Sequence, residues 1–231
     1  MRRKREGRKP STINRDVGAL RTVLSRAVDW GHIDVHPLRG LRPLQVDKTR
    51  VVRYLTGAED KRLREALETA PGYLRATVLV ALNTGLRRGE LFTLKRSAID
   101  LKRRQLSVVG SLSKTGQTHH VPLNQEVVDV LGDWHDSAGN TDGLVFANTH
   151  TKWSWAALLK RAEIENFRWH DLRHDFASQL MMKDVDLYTV SRLLGHSSVE
   201  MTRRYAHLAP DYLADSRDWI DDGTQKKRRQ T

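Results

Sequence analysis

One stretch of this chain alternates and turns back on itself, and almost everything apolar around it steps by three and four. Leu106-Ser107-Val108 alternates, the polar run Ser111-Leu112-Ser113-Lys114-Thr115-Gly116 turns the chain, and Thr118 to Leu123 returns. Helical periodicity predicts helices from about Glu59 to Thr69, Gly72 to Asn83 with a stop at Gly85, and Arg88 to Leu94 before this hairpin. After it come Asn124 to Trp134, Trp153 to Ile164, His170 to Met182, and Asp186 to Leu194 with a stop at Gly195. Ser197-Ser198-Val199-Glu200 reads as a capping box that starts a further helix bearing Tyr205. A lone hairpin is marginal in water and must pack on helices. The expected fold is therefore mainly α, of the α+β kind: a helical body with a small antiparallel sheet.

The amino-terminal part is organised differently. Ser11 can cap a helix whose apolar positions Ile13, Val17, Leu20, Leu24 and Val28 form one stripe, ending near Gly31. Pro37, Gly40, Pro43 and the polar residues through Arg50 read as a linker. A single helix cannot bury its own stripe, so the first 50 residues are expected to be a basic tail plus the remnant of a larger helical lobe. Residues 51–213 form the main domain, and 214–231 a carboxy-terminal segment.

Charge points to a polyanionic partner. The net charge is +12, and much of it lies in two clusters: Arg2, Arg3, Lys4, Arg5, Arg8 and Lys9 at one end, Lys226, Lys227, Arg228 and Arg229 at the other. Such tails suit nucleic acid phosphates, although charge runs alone are equally consistent with solvated ends. There is no cysteine, which excludes disulfides, thiol nucleophiles and zinc–thiolate sites. No run of about 18 apolar residues or signal-peptide pattern exists, so no membrane association and a cytoplasmic location are expected.

The chemistry sits in short motifs, each ambiguous by itself. Trp169-His170-Asp171-Leu172-Arg173-His174 puts His170 and Arg173 on one helical face, with Leu172, Phe176 and Leu180 on another that can enter the core. An arginine fixed there suits bidentate capture of phosphate oxygens, yet H-x-x-R alone also describes a solvated helix face. His170 and His174 have the spacing of a metal pair, but no carboxylate motif accompanies them, and no metal site is expected. Thr84-Gly85-Leu86-Arg87-Arg88-Gly89-Glu90-Leu91 offers Arg87 at a helix entry, a favourable setting for an anion, with Glu90 placed to orient it. Lys114, at the hairpin tip, can deliver a proton to a leaving oxygen or serve only solubility. Tyr205, in Tyr205-Ala206-His207, could be a nucleophile or a half-buried packing group.

In this order, the Thr84–Leu91 run, Ser113-Lys114-Thr115-Gly116, His170–His174, Leu194-Gly195-His196 and Tyr205-Ala206-His207 resemble the tyrosine recombinase, or phage integrase, family over about residues 51 to 213. The resemblance implies that Tyr205 attacks a scissile DNA phosphate to form a 3′-phosphotyrosyl bond and release a 5′-hydroxyl. It implies that Arg87 and Arg173 clamp the non-bridging oxygens, that Lys114 is the general acid, and that His196 adds a hydrogen bond. His170 would act as base for the tyrosine or hold the phosphate, and Glu90 would be accessory. Arg88, Arg203 and Arg204 are expected to meet the DNA. Double-stranded DNA is the implied partner, with a homotetramer on paired sites and a monomer in free solution. No cofactor is implied, because the covalent bond stores the phosphodiester energy. The expected function is site-specific recombination in a bacterial or phage setting at the nucleoid. A catalytically silent DNA-binding fragment and a type IB topoisomerase-like activity are the alternatives. In the family several helices precede the linker, whereas about 45 residues do so here.

Overall fold

The computed structural model describes residues 6–46, 52–109, 118–137, 143–146 and 151–209. The chain divides into two compact units, Met1–Val51 and Val52–Thr231.

The first unit is built on α1 (Pro10–Asp29). Pro10 sits at the first helical position, where its missing N–H costs nothing, and Lys9 rather than Ser11 is the cap residue, with no side-chain bond to the helix end. The Ser11 cap is thus not formed. No residue of α1 is buried; Leu20 of the stripe stands exposed, as does Val23 beside it. The segment read as a linker is tied back along the helix by polar contacts. Asn14 donates to the Leu44 carbonyl and accepts from its N–H, both at 2.8 Å. His36 Nδ1 accepts the Leu38 N–H at 3.0 Å while its Nε2 lies 3.2 Å from the Arg21 carbonyl.

The second unit begins its helices with α2 (Gly57–Glu68), started by a reciprocal cap in which the Thr56 hydroxyl accepts from the Glu59 N–H and the Glu59 carboxylate accepts from the Thr56 N–H. Then come α3 (Gly72–Thr84) and the short α4 (Arg88–Phe92). The sheet is an antiparallel meander, β1 (Ile99–Asp100), β2 (Gln105–Val108) and β3 (His119–Pro122), with Leu106 opposite both Ile99 and Val121. The expected hairpin is present and gains the edge strand β1, too short to alternate. Its tip, including Lys114, lies outside the described residues. α5 (Gln125–Ser137), α6 (Thr151–Arg161), α7 (Asp171–Met182) and α8 (Leu187–Leu193) follow.

Tyr205 does not lie on a regular α-helix. Val199–Met201 and Arg203–Leu208 are successive 3₁₀ turns, and the predicted capping box does not form: Ser198 makes no side-chain cap bond. The Ser197 hydroxyl instead reaches the Met201 sulfur at 3.5 Å.

α3 is apolar on nearly all sides and runs through the middle of the unit, with nine of its residues buried, Val78 and Val80 completely. Around it one large cluster gathers residues from α2 to α6 and the sheet, including Leu63, Leu106, Phe146 and Leu158, together with Leu172 of α7. A second, small cluster consists of Val52, Ala177, Met181, Val190, Leu194 and Tyr205. Phe176 and Leu180, expected as core positions, are only partly buried and pack against this small cluster. No helix among the described residues is long and apolar enough to cross a membrane.

Candidate active site

Two helices end at glycines whose backbones turn left-handed, Gly85 after α3 (φ 62°) and Gly195 just past α8 (φ 59°). This conformation is cheap only for glycine, and it points carbonyl oxygens across the gap between the two turns. Arg173 of α7 enters that gap. One end of its guanidinium donates to the Gly85 carbonyl at 2.7 Å and the other to the Leu194 carbonyl at 2.6 Å. Arg87, at the entry of α4, donates to the Gly195 carbonyl at 3.3 Å and to the Glu90 carboxylate at 2.7 Å. Glu90 also accepts the Arg87 backbone N–H at 2.8 Å and lies 4.0 Å from Arg173. The acid is 4% exposed, and so is Arg173.

Two like charges are therefore held side by side with one carboxylate between them. Burial, and next the Arg87 charge, lower the Arg173 pKa to about 10, while Glu90 and Tyr205 oppose the shift. Arg173 remains cationic at neutral pH, with an unneutralised pull on an incoming anion.

Tyr205 lies at the other edge of α7, only 2% exposed. Its hydroxyl is 2.6 Å from His174 Nδ1. Burial raises the phenol pKa, against the opposing charges of Arg173 and Arg204. The His174 ring stands edge-on to that of His170, centroids 4.9 Å apart. His170 opens to solvent at the start of α7, and desolvation, followed by the Arg173 charge, lowers its pKa. That helix start is fixed by Asp171, which accepts from the Arg168 backbone N–H and from both sides of its guanidinium at 2.7 to 3.0 Å. Burial alone would raise the Asp171 carboxyl, and the Arg168 bonds outweigh it, leaving the pKa below the ordinary value.

His196, the residue after Gly195, shares a 2.7 Å hydrogen bond with the hydroxyl of the fully buried Thr202. Burial and the charges of Arg173 and Arg87 lower its pKa to about 3, so its ring is neutral at physiological pH. From β3, His119 presses its ring against Gly195 so closely that a Cβ built there would sit 2.6 Å from it. Burial lowers the His119 pKa, and its Nδ1 has no hydrogen-bond partner among the described residues.

The structure thus brings together Arg87, Glu90, Arg173, His170, His196 and Tyr205 of the sequence-derived set, and Lys114 falls outside the described residues. Arg88, Arg203 and Arg204 are exposed. Arg88 lies 5.4 Å over the Phe92 ring, and Arg203 pairs with Glu200 at 3.2 Å. Sequence reasoning missed His174, His119 and Thr202. His174 stands in H-x-x-R-H, where its spacing from His170 suggests a metal pair rather than a contact with Tyr205, and nothing in the local pattern marks the other two. Among the described residues no group of three or more His, Asp or Glu side chains converges as a metal-ligand set.

Residues 53–211, which hold both glycine turns and Tyr205, match the phage integrase family model. The chain belongs to that family. The integrase of Salmonella phage P22 is 34% identical over 213 residues, covering 84% of this chain and 52% of the relative. The tyrosine recombinase XerC of Xanthomonas campestris pv. campestris (strain B100) is 30% identical over 226 residues, covering 91% of this chain and 68% of the relative. The solved catalytic domain of bacteriophage HP1 integrase superposes with a TM-score of 0.60 at 29% identity, covering 72% of this chain and 94% of that domain. The chain spans about half the length of the P22 integrase.

Proposed function

We propose that this chain is the catalytic part of a site-specific DNA recombinase that cleaves and rejoins DNA through a 3′-phosphotyrosyl intermediate. The observation that carries the reading is the buried Arg173, braced by the Gly85 and Leu194 carbonyls beside a second braced arginine, with the Tyr205 hydroxyl on the same helix's other flank. Two fixed cations match the two non-bridging oxygens of a phosphodiester, whose charge grows in the transition state, and bracing them beforehand avoids reorganisation during reaction. Tyr205 supplies the nucleophile. Lys114 protonates the leaving 5′-oxygen, and the neutral His196 and His170 hydrogen-bond the phosphate or its surroundings. Glu90 keeps Arg87 and Arg173 from repelling each other out of place.

Double-stranded DNA is the substrate. Arg88, Arg203 and Arg204 meet its backbone, and the basic ends add salt-dependent affinity. Four copies assemble on paired sites, whereas the free protein is a monomer. The names of the relatives, integrase and tyrosine recombinase, support this reading, and the phage and bacterial source of those relatives supports a location on nucleoid DNA in a bacterial cytoplasm.

The test uses nicked duplexes drawn from the DNA flanking the gene, in which cleavage releases a short strand and traps the covalent adduct. Wild-type protein should yield a protein–DNA band that survives denaturation, and Tyr205→Phe should abolish it. No adduct across the flanking sequence would sink the reading and leave a silent DNA-binding fragment. Adduct and resealing without strand exchange would point to topoisomerase-like nicking.

A further inference from the structure

Taking the recombinase reading as its basis, we propose that His174 accepts the proton of Tyr205 during attack and returns it during religation, in place of His170. The geometry singles it out. Among the described histidines it is the one with a ring nitrogen on the phenol, at 2.6 Å. His196 Nδ1 is engaged with Thr202, His119 is pressed against Gly195 on the sheet side, and His170 meets the His174 ring edge-on.

The placement follows from the helix. Arg173 and His174 are neighbours on α7, about 100° apart around its axis. Arg173 therefore enters the gap between the glycine turns while His174 faces the turn carrying Tyr205. The electrostatic surroundings suit an acceptor. Burial, then His170, with smaller effects from Arg204 and Arg168, outweigh Asp171 and lower the His174 pKa to about 4. His196 lies within electrostatic range as well. A ring that is neutral at pH 7 offers Nδ1 as a lone pair when Nε2 carries the hydrogen, so the phenol O–H donates to it.

The step balances. The Tyr205 oxygen forms the bond to phosphorus, the bond from phosphorus to the 5′-oxygen breaks, the phenol proton passes to His174 Nδ1, and the leaving 5′-oxygen takes a proton from Lys114. In religation each transfer reverses, with the 5′-hydroxyl attacking and the imidazolium protonating the departing phenol. A scissile phosphate arriving beside the ring raises its basicity, so it becomes a useful base only once substrate is in place.

His174→Asn sets an amide oxygen near the Nδ1 position, able to accept the phenol's hydrogen bond but unable to take its proton. Its adduct formation on the nicked duplex should fall by about 10²-fold or more, the usual contribution of a positioned base, with the thermal melt unchanged. The defect should persist on a substrate whose 5′-bridging oxygen is replaced by sulfur, a leaving group that needs no proton, whereas Lys114→Ala should recover on it. ¹⁵N NMR of the wild-type protein gives a readout independent of any histidine variant. His174 Nδ1 should be unprotonated at pH 7, and its shift should move on Tyr205→Phe. Wild-type adduct formation with His174→Asn equally fast, or an Nδ1 that carries hydrogen at pH 7, overturns the assignment alone. Absence of any wild-type adduct overturns it together with the recombinase reading.

Discussion

The large apolar cluster of the second unit and the small one around Tyr205 differ less in chemistry than in how many elements secure them. The large one draws on α2 to α6, the sheet and Leu172 of α7. The small one has six buried residues, and one of them is Tyr205 itself. The backbone that carries Tyr205 is held by 3₁₀ turns, whose shorter-range bonds are poorer than those of an α-helix. Such a turn can open locally at a cost well below that of unfolding the whole unit. α7 is the wall between the two, giving Leu172 to one and Ala177 and Met181 to the other. The scaffold and Tyr205 thus rest on separate packing, joined by the helix that also carries Arg173 and His174.

The largest effect should come from breaking the scaffold side. Phe146 is fully buried, stacked near Trp134 with ring centroids 6.3 Å apart. Phe146→Ala should cost about 3 to 5 kcal/mol of unfolding free energy, measured by urea titration. Adduct formed per folded molecule should stay near wild type, because no group of the Tyr205 cluster loses a contact. A parallel collapse of cleavage in molecules that remain folded would mean the two clusters act as one.

An intermediate effect should come from Gly85, where the two sides meet. A Cβ there would lie 2.4 Å from the Phe176 ring and 3.0 Å from Leu194, in a backbone conformation that side chains strain to adopt. Gly85→Ala should lower stability by roughly 2 kcal/mol, from strain and overpacking together. It should also cut adduct formation far more than Phe146→Ala does, because the Gly85 carbonyl that braces Arg173 must shift. Equal losses of cleavage in the two variants would remove the distinction.

These features explain which parts of the molecule could be read from sequence. The stop of α3 at Gly85, the start of α7 near His170 and the hairpin around Leu106 and Val121 each have a local signal: a glycine, a helical stripe, an alternation. The candidate site residues are nominated by the order of their motifs and the resemblance that order carries, since each functional group alone is ambiguous. What holds them was not readable. Arg173 is braced by the carbonyls of Gly85 and Leu194, and a carbonyl carries no residue-specific mark. His174 faces Tyr205 because of the angle at which α7 meets the Tyr205 turn, a tertiary fact. The Ser197–Glu200 pattern matched a capping box, but His196 draws the Thr202 hydroxyl and the backbone winds into 3₁₀ turns that leave Ser198 uncapping. Ser11 lost its role to Lys9, because Pro10 starts α1 two residues earlier than a Ser11 cap would.

The smallest effect concerns the seam where the chain enters this unit. Val52 packs in the Tyr205 cluster, and three residues later the Leu55 N–H donates to Asp175 Oδ1 at 2.8 Å. Asp175 is 4% exposed, and its burial raises the carboxyl pKa to about 6 despite the bonds from Leu55 and Gln179. A carboxyl whose pKa is higher folded than unfolded stabilises the fold relatively at low pH, and that contribution is lost as pH rises through about 6. His174 and His196, with pKa values lowered to about 4 and about 3, act oppositely, since the unfolded chain takes up their protons first as pH falls below about 6.5. The wild-type pH profile mixes these terms, but its difference from Asp175→Asn isolates the acid. Asparagine keeps an oxygen for the Leu55 N–H without a buried charge. Its stability relative to wild type should rise by about 1 kcal/mol between pH 5 and pH 8, read from urea midpoints at both. A constant difference across that range would mean Asp175 ionises there no less readily than in the unfolded chain, and the seam at Val52–Leu55 would then be insensitive to pH.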